Sequence, residues 1–279
     1  MRFGQIRFEN NIAAALFEGD QARPIPGYTT ASLIRKADAE GVSLIDLARE
    51  MAIHHSQPST PAIPIFPVEV WGCGCTHPDE PRSHAGEPGE ALYEQAYAGS
   101  RPQFFFKGTA RICVGPGQPA GIRPDSSLTG PAPCLAVVLG RNGTVLGYTL
   151  GNDISAWDIA RANPLYLTQA KFYKGACALG PVIVTPDELP DLSCLQITCS
   201  IERDGVQRFS ETIPLARLSR SVNTLIEHLL RANPLPAGSV LLTGTGLRIQ
   251  EEAALAPGDT VVIRVPEIGE LSNPVALAE

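Results

Sequence analysis

The chain has 279 residues, 44% hydrophobic and 18% charged, which is enough apolar material for a sizeable core and unlike a disordered composition. A net charge of −7 with no lysine/arginine cluster excludes a nucleic-acid-binding surface, and no apolar run is long enough to span a bilayer. Seven cysteines, an odd number without the spacing of a disulfide framework, point to a reducing cytoplasm.

The first twelve residues scatter their charges around no long apolar stretch, so no secretory signal is expected. Residues 3–18 alternate apolar and polar as a small sheet does, with Glu18-Gly19-Asp20 as its turn. Thr30 is placed to cap a helix to about residue 40. Ser43 is placed to cap a second to about residue 54, with Leu44, Leu47 and Ala48 on its apolar face. His54 and His55 then read as an exposed helix end rather than a metal site. Four prolines in residues 56–68 rule out helix and suggest an extended linker. A boundary near Phe66 follows, dividing a small N-terminal α/β domain (1–66) from a larger one (67–279).

Residues 68–75 read as a strand with a Gly-rich exit, in which Cys73 and Cys75 are small buried hydrophobes rather than half of a zinc site. The next segment is polar and rich in Gly and Pro, with a helical stretch around 90–97. It carries two His-x-x-Glu pairs, His77/Glu80 and His84/Glu87, a spacing suited to acid–base work and equally common on solvated loops. Two apolar runs around Asn142-Gly143 form a hairpin that delivers Gly151-Asn152-Asp153 to a strand end. An acid on such a scaffolded loop is a functional candidate. Lys171 follows among apolar and aromatic residues, where an ammonium would neutralise developing negative charge. Further on, Asp204-Gly205 marks a second hairpin, residues 221–231 a helix ended by Pro234, and residues 241–245 a buried strand running into a Thr-Gly-Thr turn.

Several ordered blocks carry a resemblance. Gly151-Asn152-Asp153, Asn163 to Leu167, Gln169-Ala170-Lys171 and Cys177 to Pro181 are four of them. FFFKGTAR at 104–111, VGPG at 114–117, LLTGTG at 241–246, PGDTVVIRV at 257–265 and IGELSNPV at 268–275 are the others. Together, over roughly residues 65–279, the chain resembles the fumarylacetoacetate hydrolase superfamily, and within it the branch of 2-keto-3-deoxy-sugar-acid dehydratases. The resemblance implies a mixed α/β fold, predominantly β: a β-roll with a small N-terminal α/β domain, assembled as a homodimer. It implies a small-molecule substrate with a 2-oxo acid or β-dicarbonyl group, in the cytoplasm, with no nucleic acid and no membrane as partner.

The resemblance also assigns roles. Lys171 and Asp153 fall at catalytic positions, with His77 and Glu80 as lid candidates, although Thr76-His77 stands where the family has asparagine–tyrosine. Thr245, Gly244, Gln169, Trp157 and Lys107 fall at substrate-binding positions. The family typically holds Mg²⁺ or Mn²⁺ with two glutamates spaced Glu-X-Glu and the aspartate of Gly-Asn-Asp. Here the glutamates are replaced by Ala132 and Cys134, leaving Asp153, with Asp125 and Asp158 as nearby substitutes. Trp157 stands where many members carry arginine. One carboxylate is a poor cage for Mg²⁺, and a soft thiolate does not repair a hard-cation site. The expectation is therefore an enzyme without a cofactor, working by metal-independent isomerase, cyclase or lyase chemistry. The alternatives are a dehydratase or C–C hydrolase that uses Mg or Mn, and a non-catalytic member.

Overall fold

The computed structural model describes residues 1–79, 90–247 and 251–279. Among these, eleven strands form one large sheet and five a second, with a two-stranded ladder beside them. The mixed, mainly β architecture expected from the sequence is what is seen.

The strand Pro133–Leu139 sits inside the large sheet, between Val145–Asp153 and Ser239–Leu242, and all seven of its residues are buried. Its alternate side chains serve different layers. Leu135, Val137 and Leu139 join Ile197, Ile201, Val261 and Leu271 of the second sheet. Cys134, Ala136 and Val138 join Leu33, Ile34, Leu47 and Ala48 of the two N-terminal helices. Burial on both faces explains why this strand reads as a continuous apolar run instead of an alternating one. Each buried Leu, Ile or Val side chain contributes about 1.5–3 kcal/mol.

The expected boundary near Phe66 does not separate two cores. The strand Arg2–Phe8 pairs antiparallel with Cys177–Val184, so the large sheet continues from the C-terminal part into the N-terminal one. Within the N-terminal part, buried Gln5 ties this strand to the Pro-rich segment and the first helix by donating to Ile63 O (2.7 Å) and accepting from Thr30 N (3.0 Å). A proline-rich segment breaks helix, but it cannot prevent pairing between strands that lie on either side of it.

Local signals were read nearly in place. The helix Thr30–Glu40 is capped by Thr29, one residue earlier than expected, through a reciprocal box with Ser32. Thr30 instead donates to Gly4 O at 2.9 Å. The helix after Ser43 ends at Met51, short of His54, because Ala52 is extended and Ile53 N bonds to Pro24 O. The hairpin at Asp204-Gly205 and the helix Val222–Leu229 are as the sequence suggests.

Candidate active site

Three strands and one short helix converge on Asp153. The carboxylate stands at the end of the strand Val145–Asp153, 7% exposed, and its backbone N–H donates to Ala132 O. Asn152 fixes the same corner by accepting from Ala132 N at 2.9 Å. Lys171, at the C-terminus of the helix Leu167–Lys171, donates to Asp153 Oδ2 (2.6 Å) and to Ser155 Oγ (2.8 Å). The Phe105 ring lies 4.7 Å from its Nζ, a cation–π distance. From below, Lys107 Nζ lies 2.7 Å from Asp153 Oδ1 and donates to Ile154 O at 2.9 Å.

Asp153 thus sits between two ammoniums. Burial alone would raise its carboxyl, but the charges of Lys107 and Lys171 outweigh burial and hold it below the usual carboxylate range. Burial lowers Lys107, with Asp153 opposing and Lys171 adding to the drop. Lys171 donates to two oxygens and so is placed as a positive anchor, not as a free amine for Schiff-base chemistry.

Above this cluster opens a pocket. Lys171, Asp153, Trp157, Gly244 and Thr245, all expected from the sequence, line it. Thr245 and Gly244 arrive on the turn after the strand Ser239–Leu242. Gly244 has φ +88°, and a β-carbon there would lie 2.1 Å from Thr76 Oγ1, so glycine is required. Thr245 Oγ1 accepts from Leu247 N at 3.1 Å, which leaves its own proton for an acceptor. Phe105, Gln103, Ser155, Tyr93 and Ala132 line the pocket without having been singled out as substrate contacts. Gln103 and Phe105 precede Lys107 by four and two residues on one strand, so a period-2 reading from Lys107 places all three on one face.

Other expectations are corrected. Lys107 is fully buried and does not line the pocket; it is a counter-ion to Asp153, because it and Phe105 share a strand face but it lies deeper. Gln169 is exposed, and it is its carbonyl that is engaged, by Arg123 Nη1 at 2.8 Å. Asp125 pairs with Arg123, and Asp158 accepts from Ser126 and Ser127, so neither aspartate turns toward Asp153. Glu80, His84 and Glu87 lie outside the described residues.

His77 is 2% exposed and lies behind the Gly244–Gly246 turn, where a β-carbon on Gly246 would come within 2.9 Å of its ring. It is absent from the pocket lining, and among the described residues its Nε2 has no hydrogen-bond partner. Burial first, then the nearby Arg217, lowers its pKa to about 4, against the opposing charge of Asp79. Between that value and the unfolded value of about 6.5, the unfolded chain binds the proton more readily. Folding stability is therefore expected to fall by about 3 kcal/mol as pH drops from 6.5 through 4. Urea titrations across that range, repeated on His77→Phe, check this; an equal slope in the variant would refute it.

Among the described residues, the donor set around Asp153 does not fit a divalent cation. Ala132 offers a methyl group to the pocket, and Cys134 is 1% exposed, its Sγ donating to Gly151 O at 3.7 Å. Burial, then Asp153 beside it, pushes that thiol well up, so it stays protonated. Both Asp153 oxygens already face lysine ammoniums. Among the described residues no group of three or more His, Cys, Asp or Glu could hold a metal ion.

Comparison with known proteins shows the family, and one matched structure holds magnesium. The fumarylacetoacetate (FAA) hydrolase C-terminal family model matches residues 81–276. The 2-dehydro-3-deoxy-D-arabinonate dehydratase of Saccharolobus solfataricus is 42% identical over 217 residues, covering 76% of this chain and 73% of that protein. The mitochondrial oxaloacetate tautomerase fahd2 of Xenopus laevis is 30% identical over 198 residues, 65% of this chain and 60% of its own. A solved structure of 2-keto-3-deoxy-D-arabinonate dehydratase, complexed with magnesium and 2,5-dioxopentanoate, has a TM-score of 0.83 and 33% identity, with 100% of both chains covered.

Proposed function

The chain belongs to the fumarylacetoacetate hydrolase family, and on that premise we propose that it is an enzyme that binds a small 2-oxo acid through Lys171 instead of through a divalent cation. The observation that carries this is the charge balance at Asp153. One carboxylate lies between two ammoniums, so the cluster presents surplus positive charge at a pocket walled mainly by apolar side chains. Lys171 has three N–H protons, and two are directed at Asp153 and Ser155. The third serves a substrate oxygen.

When water takes the proton from the carbon beside the 2-oxo group, the C–H electron pair moves toward that group and negative charge develops on its oxygen. A preorganised ammonium in a dry pocket stabilises it. Asp153, held below its usual range, is a poor proton acceptor and orients Lys171. Thr245 donates to the substrate carboxylate. Isomerase, cyclase or lyase chemistry on a 2-oxo acid or β-dicarbonyl compound can all begin from this enolate. A homodimer in a reducing cytoplasm accompanies the reading.

A second reading has a specific observation behind it. The structure of the 33% identical dehydratase that holds magnesium matches this chain over its full length, which favours a metal-dependent dehydratase. Calorimetry separates the two. Oxalate or pyruvate is expected to bind in EDTA, with no stoichiometric Mg²⁺ or Mn²⁺ taken up. Binding or turnover abolished by EDTA and restored by Mg²⁺ establishes the second reading. Ala132→Glu with Cys134→Glu supplies the missing carboxylates and is expected to make oxalate binding respond to Mg²⁺.

A further inference from the structure

We infer that the substrate's tail is apolar: a 2-oxo acid carrying an aliphatic or aryl chain, not a polyhydroxylated one. This rests on the head-group reading above and extends it to the apolar surface of the same pocket.

The pocket lining is mainly apolar. Lys171, Ser155 and Thr245, with Gln103 and Tyr93, supply its polar groups. Phe105, Trp157, Leu167, Leu242, Leu247 and Ala132 supply its apolar surface. Trp157 sets the character of that wall. It begins the helix Trp157–Ala162, is 4% exposed, and lies against Gly130, where a β-carbon would meet the indole at 2.0 Å. Gly130 therefore leaves the space that seats a large flat apolar surface facing the pocket.

The polar atoms around Ala132 and Ser155 are already engaged. Ala132 N donates to Asn152, Ala132 O accepts from Asp153 N, and Pro131 has no N–H. Ser155 Oγ donates to Asp153 O and accepts from Lys171. Gln103 Oε1 accepts from Cys75 Sγ. Hydroxyl groups on a substrate tail would lose water beside such a wall with little in exchange, whereas methylenes gain by burial.

The experiment is calorimetric titration of the intact protein with four probes: oxalate, pyruvate, 2-oxopentanoate and 2-keto-3-deoxypentonate. The last two share five carbons and differ by two hydroxyl groups. Two added methylenes are expected to make 2-oxopentanoate bind about 15-fold tighter than pyruvate. It is expected to bind roughly ten- to hundredfold tighter than its hydroxylated counterpart. Leu167→Gln alters a half-buried position on the apolar wall and is expected to narrow that second ratio by about threefold or more. If oxalate and pyruvate bind but the hydroxylated acid equals or exceeds 2-oxopentanoate, the tail inference is overturned and the head-group reading stands. If no probe binds, both are overturned together.

Discussion

Asp153→Ala is expected to destabilise the protein by about 3–5 kcal/mol, read as a lower denaturant midpoint. The carboxylate is the ion-pair partner of Lys107, which is fully buried, and also holds Lys171. Removing it leaves an uncompensated ammonium in the core, and desolvation of that charge is the source of the loss. Adding Lys107→Met to Asp153→Ala should recover a large part, because an apolar side chain of similar length carries no charge to desolvate. A loss under about 1 kcal/mol for Asp153→Ala, with no recovery in the double variant, would show that the buried pair does not stabilise the fold. The pH dependence has a definite sign. A carboxyl depressed in the folded state contributes stability above its unfolded value of about 3.9 and loses it as pH falls through the folded value. Asp153→Asn should lack that component of acid unfolding.

Lys171→Met is expected to lower turnover of the enzyme's 2-oxo acid by about 10²–10³-fold while leaving the fold largely intact. The two lysines separate in this respect because of where they sit. Lys107 continues to neutralise Asp153 when Lys171 is gone, so stability changes little, but the cation facing the pocket is lost. Oxalate binding should weaken in parallel, and added Mg²⁺ should not restore it. Turnover within about threefold of wild type would remove Lys171 from the mechanism and with it the metal-free anchor.

Much of the candidate site was legible because its signals are local. The turn residues Asp204-Gly205 set one hairpin, the apolar run 135–139 marked a central strand, and Ser221 capped a helix whose apolar positions recur at helical spacing. Asp153 at a strand end and Lys171 in an apolar neighbourhood were likewise visible in sequence, and the structure brings them to one pocket with Thr245 and Trp157. Set against the resembled family, Trp157 and Ala132 signalled that this pocket departs from a polar, carboxylate-rich one.

What the sequence could not settle depends on contacts between distant segments. Lys107 and Lys171 look alike as isolated lysines. Only the approach of residue 107 to Asp153 and Ile154, more than forty positions along, makes one a buried counter-ion and leaves the other at the pocket. His77 has a spacing suited to catalysis, yet packing under the Gly244–Gly246 turn places it in the interior. The division near Phe66 follows from proline chemistry, while the pairing of Arg2–Phe8 with Cys177–Val184 unites both sides in one sheet. Propensity, periodicity and turn chemistry act over a few residues, so the sequence by itself determined the elements and the type of group at the site. Desolvation and charge pairing depend on distance in space, so the tertiary structure alone decided which lysine faces the pocket and which histidine is buried.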